Sequence, residues 1–275
     1  MTRPALTIGR YAALAAYLIF ALFPLVWLLR IAVTPDHVLY AEGPVLLPSS
    51  ITFENFTYVT NHSPFPTYFL NSVIVSVGTS LLVTAFASAV GYALSRFRFA
   101  GKKALLALLL ITQLFPLVMV IAPIYRLLAP LGLTDSLVGL IIVYTAFNLP
   151  FAAFLMATFL DGIPAELEQA AMIDGCTRVG ALVRVILPLA LPGLGATLGF
   201  VFTAAWSELL LSLMLISSES SKTFAVGLIT FIGRSGVDWG QMMAAATLAL
   251  IPPAIFFALI QRYLIAGLTA GAVKG

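Results

Sequence analysis

The chain has 275 residues, of which 61% are hydrophobic and 9% charged, and its net charge is +3. Soluble domains run near 45–50% apolar and about 25% charged, so this composition excludes an ordinary water-soluble globule and points to a chain solvated by lipid. The single cysteine, Cys176, leaves no intrachain disulfide and reads as a small packing residue. With no basic run and no ligand-spaced Cys/His cluster, neither nucleic acid nor a bound metal is expected.

In chain order, apolar runs fall near 11–33, 68–95, 104–128, 137–160, 193–217 and 242–264. Each is long enough to cross a hydrocarbon core of about 30 Å at roughly 1.5 Å per residue. Backbone polar groups in lipid must be satisfied within the segment, and runs such as 104–111 lack the alternation of a barrel strand. The expected fold is therefore an all-α integral membrane protein of six transmembrane helices, forming one domain over 1–275. The first run follows Arg3 and Arg10, but it is longer than the apolar stretch of a leader and no cleavage site follows it, so it reads as a retained span.

Six spans place both termini on one side. The fourteen Lys and Arg residues divide ten to four between the two sides. Arg3, Arg10, Arg96, Arg98, Lys102, Lys103, Arg178, Arg184, Arg262 and Lys274 share one side; Arg30, Arg126, Lys222 and Arg234 share the other. The positive-inside bias predicts that the richer side, with both termini, is cytoplasmic. Outside lie a polar, turn-rich loop over 34–68 and a second loop over 218–241. The second holds an apolar stretch, 224–232, too short to span and able to dip toward a cavity.

Between the fourth and fifth runs, residues 161–190 read as a helix–turn–helix at the membrane surface. Pro164 suits a first helical turn, and Glu166 and Glu168 suit the positive end of a helix dipole. Gly175 suits the left-handed residue just past a helix end. A second helix is predicted from Thr177, with Val179, Leu182, Val183 and Ile186 on one apolar face and Arg178 and Arg184 in water. Pro188 and Pro192 mark the return to the membrane. Ala170 and Ala171 present a small face open to close approach by another backbone. On these features alone the loop is either an interfacial connector or a rigid projection that fits a cleft on a partner.

The stretch Glu168-Gln169-Ala170-Ala171, then Asp174-Gly175, then Leu187-Pro188, resembles the "EAA" loop of permease subunits of bacterial binding-protein-dependent ABC importers. The spacing of that pattern is kept throughout, with Gln169 where the family has Glu and Val185 where it has Ile. Asn71-Ser72, the run Gly91-Tyr92-Ala93-Leu94-Ser95-Arg96-Phe97, Trp206-Ser207-Glu208-Leu209 and the tail from Gln261 to Leu268 are similar to carbohydrate-importer permeases, the second permease subunit of the maltose/trehalose type in particular. The resemblance implies a mechanism. Glu168, Gln169, Ala170, Ala171, Asp174, Gly175, Leu187 and Pro188 would form a coupling element docked on a cytoplasmic ATPase. Closure of two ATPase subunits on ATP and Mg would switch the bundle between inward- and outward-facing states, and an extracytoplasmic sugar-binding protein would deliver the sugar. It further implies a second permease subunit as heterodimer partner, a bacterial cytoplasmic membrane, and a cytoplasmic tail near 264–275 that reaches toward the ATPase pair.

The chain itself is not expected to hydrolyse ATP or to bind a cofactor. A P-loop needs Gly, four residues, then Gly-Lys-Ser/Thr. Here Gly101-Lys102 is preceded at the required position by Arg96 and followed by Lys103. Arg96, Arg98, Lys102 and Lys103 read instead as an anchor on the cytoplasmic side. No HExxH or GxSxG arrangement is present, so catalytic residues are not expected. His37 and His62 fall in the external loop.

Glu208 is the one acidic residue inside a predicted span, and an ionisable group there is costly. Two roles fit it: a cavity or gate group that meets sugar, or a carboxylate that ties helices together. Trp206 is either a stacking surface for a sugar ring or an interfacial aromatic, and Asn71 and Gln113 are weaker candidates of the same kind on the translocation pathway. Gly195 and Gly199 form a GxxxG suited to close helix packing. Pro116, Pro123, Pro150, Pro252 and Pro253 are expected to kink helices. A secondary transporter without an ATPase is the alternative; the coupling loop, the single intramembrane carboxylate and the lack of an obvious internal repeat stand against it.

Overall fold

The sequence is a succession of long apolar runs broken by Pro, Gly and short charged stretches, and the computed structural model, which describes residues 4–43, 45–233 and 236–272, is mostly helical. Arg3, Arg234 and Lys274 lie outside the described residues, as do the Arg262 side chain and the end of the expected tail. In order the helices are α1 (Pro4–Ala32), α2 (Asp36–Glu42), α3 (Glu54–Asn61), α4 (Phe65–Arg96), α5 (Lys102–Thr112), α6 (Leu117–Leu128), α7 (Leu137–Asp161), α8 (Ala165–Ile173), α9 (Arg178–Ala181), α10 (Leu187–Leu189), α11 (Leu191–Trp206), α12 (Leu210–Leu215) and α13 (Phe224–Ile229). A two-residue hairpin follows, β1 (Ile232–Gly233) and β2 (Gly236–Val237), with Ile232 opposite Val237. Then come α14 (Trp239–Ala249) and α15 (Ile251–Ala272).

Among the described residues four helices are long and apolar enough to cross a bilayer, and up to six crossings result if each of two bent pairs is one span. The run near 104–128 is one of these pairs. It breaks at residues 113–116, and the two arms meet at 98°. Pro116 stands at the N-cap of α6 with an extended ψ of 122°, which ends the helical path of the preceding segment. The run near 193–217 is not one helix either: α11 stops at Trp206, and α12 starts at Leu210. The loop over 34–68, read as turn-rich, carries the helices α2 and α3.

The backbone groups into two units, Met1–Pro66 with Gly227–Ile251, and Thr67–Val226 with Pro252–Gly275. In the first, α14 packs along α1 and against α3. Gly240 makes this possible, because a Cβ there would sit 2.6 Å from Nδ2 of Asn55. That amide donates to the carbonyls of Ala32 (3.0 Å) and Thr34 (3.2 Å), closing the end of α1. Most of α1 stays apolar and exposed, as a lipid-facing helix must be.

In the second unit the core lies at both ends of α7. Toward its start, Leu140, Val143 and Tyr144 pack with Val75, Leu128, Leu211 and Leu215. Toward its end, Ala152, Met156 and Leu160 pack with Val83, Ala87, Tyr92, Ile186 and Val201. The face of α4 turned to this core is small and hydroxylated, with Ser72, Ser76, Thr79, Ser80, Thr84 and Ser88 all buried. Water-to-lipid transfer supplies no force between helices already in lipid, so association rests on close packing, which small residues allow. At Gly91 a Cβ would lie 2.8 Å from the Cβ of Met156 and 2.9 Å from the amide nitrogen of Ala157, so the backbones of α4 and α7 touch there. Gly199, from the predicted GxxxG, is filled in the same way by Ile260 of α15.

Candidate coupling site and membrane residues

The segment 161–190 folds as its punctuation requires. Pro164, with an extended ψ of 132°, precedes α8, and Glu166 and Glu168 occupy its first turn. The helix ends by the two hydrogen bonds that close on a left-handed residue: Gly175 N–H to Met172 O (3.1 Å) and Cys176 N–H to Ala171 O (3.0 Å), with Gly175 at φ +91°. Thr177 then caps α9, its hydroxyl accepting from Gly180 N–H at 3.1 Å. A π-helical turn over Leu182–Ile186 leads into α10, and the chain bends by 77° at Ala190 before α11.

The surface of this hairpin is divided. Gln169, Ala170, Asp174, Gly175 and Pro188 are exposed, and Leu187 is half-buried. Ile173 is 86% exposed and Val179 70% exposed, a degree that leaves two branched apolar side chains uncovered at the tip. Leu167 and Val183 are exposed as well, whereas Ala171 and Ile186 are buried. The single apolar face expected over 179–186 is therefore split. The π turn places more residues in one turn than an α-helix does, which rotates Val183 away from the side that holds Ile186.

Glu168 lies in the first turn of α8 as expected, but it is buried. It is 4% exposed and meets three partners. Oε1 accepts from the Tyr92 hydroxyl at 2.5 Å, Oε2 lies 3.3 Å from Nε of Arg96, and Nε of Arg178 lies 3.7 Å from Oε1. The Arg96–Glu168 separation is that of an ion pair without the alignment of a hydrogen bond. Arg96 also donates to Ile163 O at 2.8 Å, and Ser95 donates to Asp161 at 2.6 Å. Arg178, expected in water, lies with its guanidinium 5.0 Å from the ring centre of Phe97, although the side chain is still 52% exposed.

Residues 83–269 match the family described as the binding-protein-dependent transport system inner membrane component. The chain belongs to that family. The permease is 40% identical over 253 residues to the diacetylchitobiose uptake system permease protein of Streptomyces coelicolor, covering 92% of each chain. It is 32% identical to the trehalose/maltose transport system permease protein of Thermococcus litoralis, over 94% of this chain and 93% of that one. Its fold is that of a bacterial ABC transporter involved in the import of the acidic polysaccharide alginate, with a TM-score of 0.77 at 24% identity, over 94% of this chain and 96% of the other. It is a multi-pass membrane protein and a permease subunit rather than an enzyme.

The three membrane candidates of the permease are spread over separate interactions, and among the described residues no hydrogen bond joins them. Asn71 is buried, and its Nδ2 donates to Ser220 O (2.8 Å) and Lys222 O (2.9 Å), holding the loop after α12. Trp206 is buried in an aromatic stack, 4.6 Å from Phe224 and 5.8 Å from Phe202, with Phe202 in turn 4.1 Å from Phe256. Glu208 sits in the break between α11 and α12. Its carboxylate accepts from the Tyr144 hydroxyl (2.6 Å), Leu211 N–H (2.9 Å) and Ser212 N–H (3.2 Å), so it covers the bare donors at the start of α12.

None of the three lines the groove between α11 and α15, a space of about 410 Å³ bordered by Phe200, Thr203, Ser207, Phe256 and Phe257. Thr203 and Ser207 carry no spacing signal in an apolar run that would mark them as lining; the groove exists only once α15 lies beside α11. Tyr92 and Arg96 were legible as a motif but not as partners of Glu168, which is 76 residues from Tyr92.

Outside the spans, Asp135 ties two distant loops. It holds a left-handed φ of 54°, its N–H donates to Leu215 O (2.9 Å), and its carboxylate accepts from the amides of Ser218 (2.8 Å) and Ser217 (2.9 Å). Those backbone donors, Ser218 first, hold its pKa below the ordinary 3.8. Close by, the Tyr68 hydroxyl donates to Glu219, which also pairs with Lys222 at 2.8 Å.

Proposed function

We propose that the chain is the permease subunit of an ATP-driven sugar importer of the bacterial cytoplasmic membrane, with six spans, both termini cytoplasmic, and the hairpin 161–190 as its coupling element. The observation that carries this reading is the division within that hairpin. Its base is buried and charge-paired through Glu168, while Ile173 and Val179, which flank the turn, are left uncovered, as are Leu167 and Val183. An apolar tip on a rigid, closed turn is what a cleft on a partner protein requires.

In this reading Gln169, Ala170, Ala171, Asp174, Gly175, Leu187 and Pro188 shape the docked surface or its base. Two ATPase subunits hold ATP and Mg; this chain holds neither. A second permease completes the pathway, and an external binding protein delivers the sugar, a substrate class supported by what the curated relatives are named for carrying. The hydroxyls of Thr203 and Ser207, beside the rings of Phe200 and Phe257, offer a surface suited to sugar. Asn71, Trp206 and Glu208 hold the break after α11 and the loop beyond α12, and so shape the pathway without meeting sugar.

The test is ATP hydrolysis by the purified complex in lipid, with and without the binding protein, over a panel of sugars. Stimulation by the binding protein with one sugar is the expected result. Purification of a solute-moving chain without any ATPase would overturn it.

A further inference from the structure

The cytoplasmic end of α4 and the hairpin 161–190 meet through more polar contacts than a connector needs. Four residues in the last turns of α4 and just beyond it, Tyr92, Ser95, Arg96 and Phe97, reach the hairpin, two of them converging on Glu168. Tyr92 and Arg96 meet Glu168 at 2.5 Å and 3.3 Å, Arg96 meets Ile163 O at 2.8 Å, Ser95 meets Asp161 at 2.6 Å, and Phe97 underlies Arg178 at 5.0 Å. One turn earlier, Gly91 brings the backbone of α4 against that of α7 at Met156 and Ala157. The carboxylate at the centre is buried and flanked by two guanidiniums and a hydroxyl. A buried carboxylate held in this way does not release one partner cheaply, because separation leaves a charge unpaired away from water.

From this geometry we infer that Tyr92, Arg96 and Glu168 form a rigid joint that carries displacement of the coupling hairpin into α4, and that these are positioning residues for the transport cycle. Neighbouring Gln169 is exposed and Glu168 buried, so the two residues divide the work: the outer one is free for a partner, and the inner one fixes the hairpin to its own bundle. A covalent connection alone does not do this. The hairpin is joined to α7 and α11 by sequence, but α4 lies some seventy residues away and reaches the hairpin's buried charge through this joint, as the separation of 76 residues between Tyr92 and Glu168 illustrates. Bistable packed elements transmit small displacements only where the contact does not slip.

The inference rests on the coupling reading above, and its test separates the two. Tyr92→Phe removes one oxygen and leaves the ring in the core. Arg96→Lys keeps charge but loses the second contact to Ile163, and Glu168→Gln removes the charge. The complex with the ATPase, second permease and binding protein is reconstituted in vesicles, and ATP hydrolysed per sugar imported is measured together with subunit content. Tyr92→Phe is expected to assemble fully and to raise that ratio at least threefold, with Glu168→Gln raising it further and Arg96→Lys falling between wild type and Glu168→Gln.

An unchanged ratio in assembled Tyr92→Phe and Glu168→Gln overturns the joint while leaving the importer reading standing. Failure of both to assemble assigns the cluster to folding and also overturns it. A wild-type chain that purifies with no ATPase defeats the coupling reading itself, and the joint with it.

Discussion

Gly175 closes α8 at φ +91°, and open space surrounds the position a Cβ would take. The consequences of substitution there are set by backbone conformation and not by bulk. Alanine meets no neighbour but must hold a left-handed φ, which costs about 1–2 kcal/mol. Asparagine tolerates that region better and should cost less. Proline is fixed near φ of about −65° and has no N–H. It therefore cannot keep the turn, and it also deletes the bond to Met172 O, worth about 1 kcal/mol. The hairpin must then refold locally, and the placement of Ile173 and Val179 on either side of the turn changes. The expected order of transport rate is wild type, then Asn, then Ala, with Pro abolished. The assay is sugar uptake in vesicles, alongside the amount of ATPase that co-purifies. A proline variant that retained its ATPase and transported normally would refute the reasoning. So would an alanine variant as damaged as proline, because bulk would then matter where the structure has room.

Glu208→Gln is expected to lower thermal stability of the complex by about 1 kcal/mol, the value of a helix-start carboxylate, and to slow uptake less than Gly175→Pro does. Total loss of uptake with an intact complex would show instead that Glu208 acts directly on the pathway. Gly91→Val should overpack the contact with Met156 and Ala157, where backbone atoms cannot yield, at a cost of about 1–3 kcal/mol or more; an unchanged melting temperature would contradict the close approach. Asp135 has a folded pKa below its ordinary 3.8, so its contribution is present above that value and is lost as pH falls through the folded pKa. The melting-temperature gap between wild type and Asp135→Asn should accordingly shrink with acidification below 3.8, and a gap that widened there would reverse the sign of the argument.

The lipid-soluble class, the ends of the hairpin 161–190 and its left-handed glycine were legible because they depend on local rules. Composition decides the solvent, Pro164 and Thr177 mark helix starts, and Gly175 is the residue that costs least at positive φ. Other features escaped because they depend on residues far apart in the chain. The apolar run near 193–217 carries Glu208, but nothing local to it says that the helix stops at Trp206, since the stop is stabilised by Glu208 reaching Tyr144 across 64 residues. The 98° bend after α5 is marked in sequence only by Pro116, which reads equally well as a mild kink. Glu168 looks like any acidic residue in a first helical turn until α4 brings Arg96 and Tyr92 to it. By itself, then, the sequence determined the solvent, the helical character and the local shape of the hairpin 161–190, since each follows from a residue and its near neighbours. Only the tertiary structure decided which charges are buried, where the apolar runs break and what α4 holds, because those depend on desolvation and packing between segments whose spacing in sequence carries no pattern.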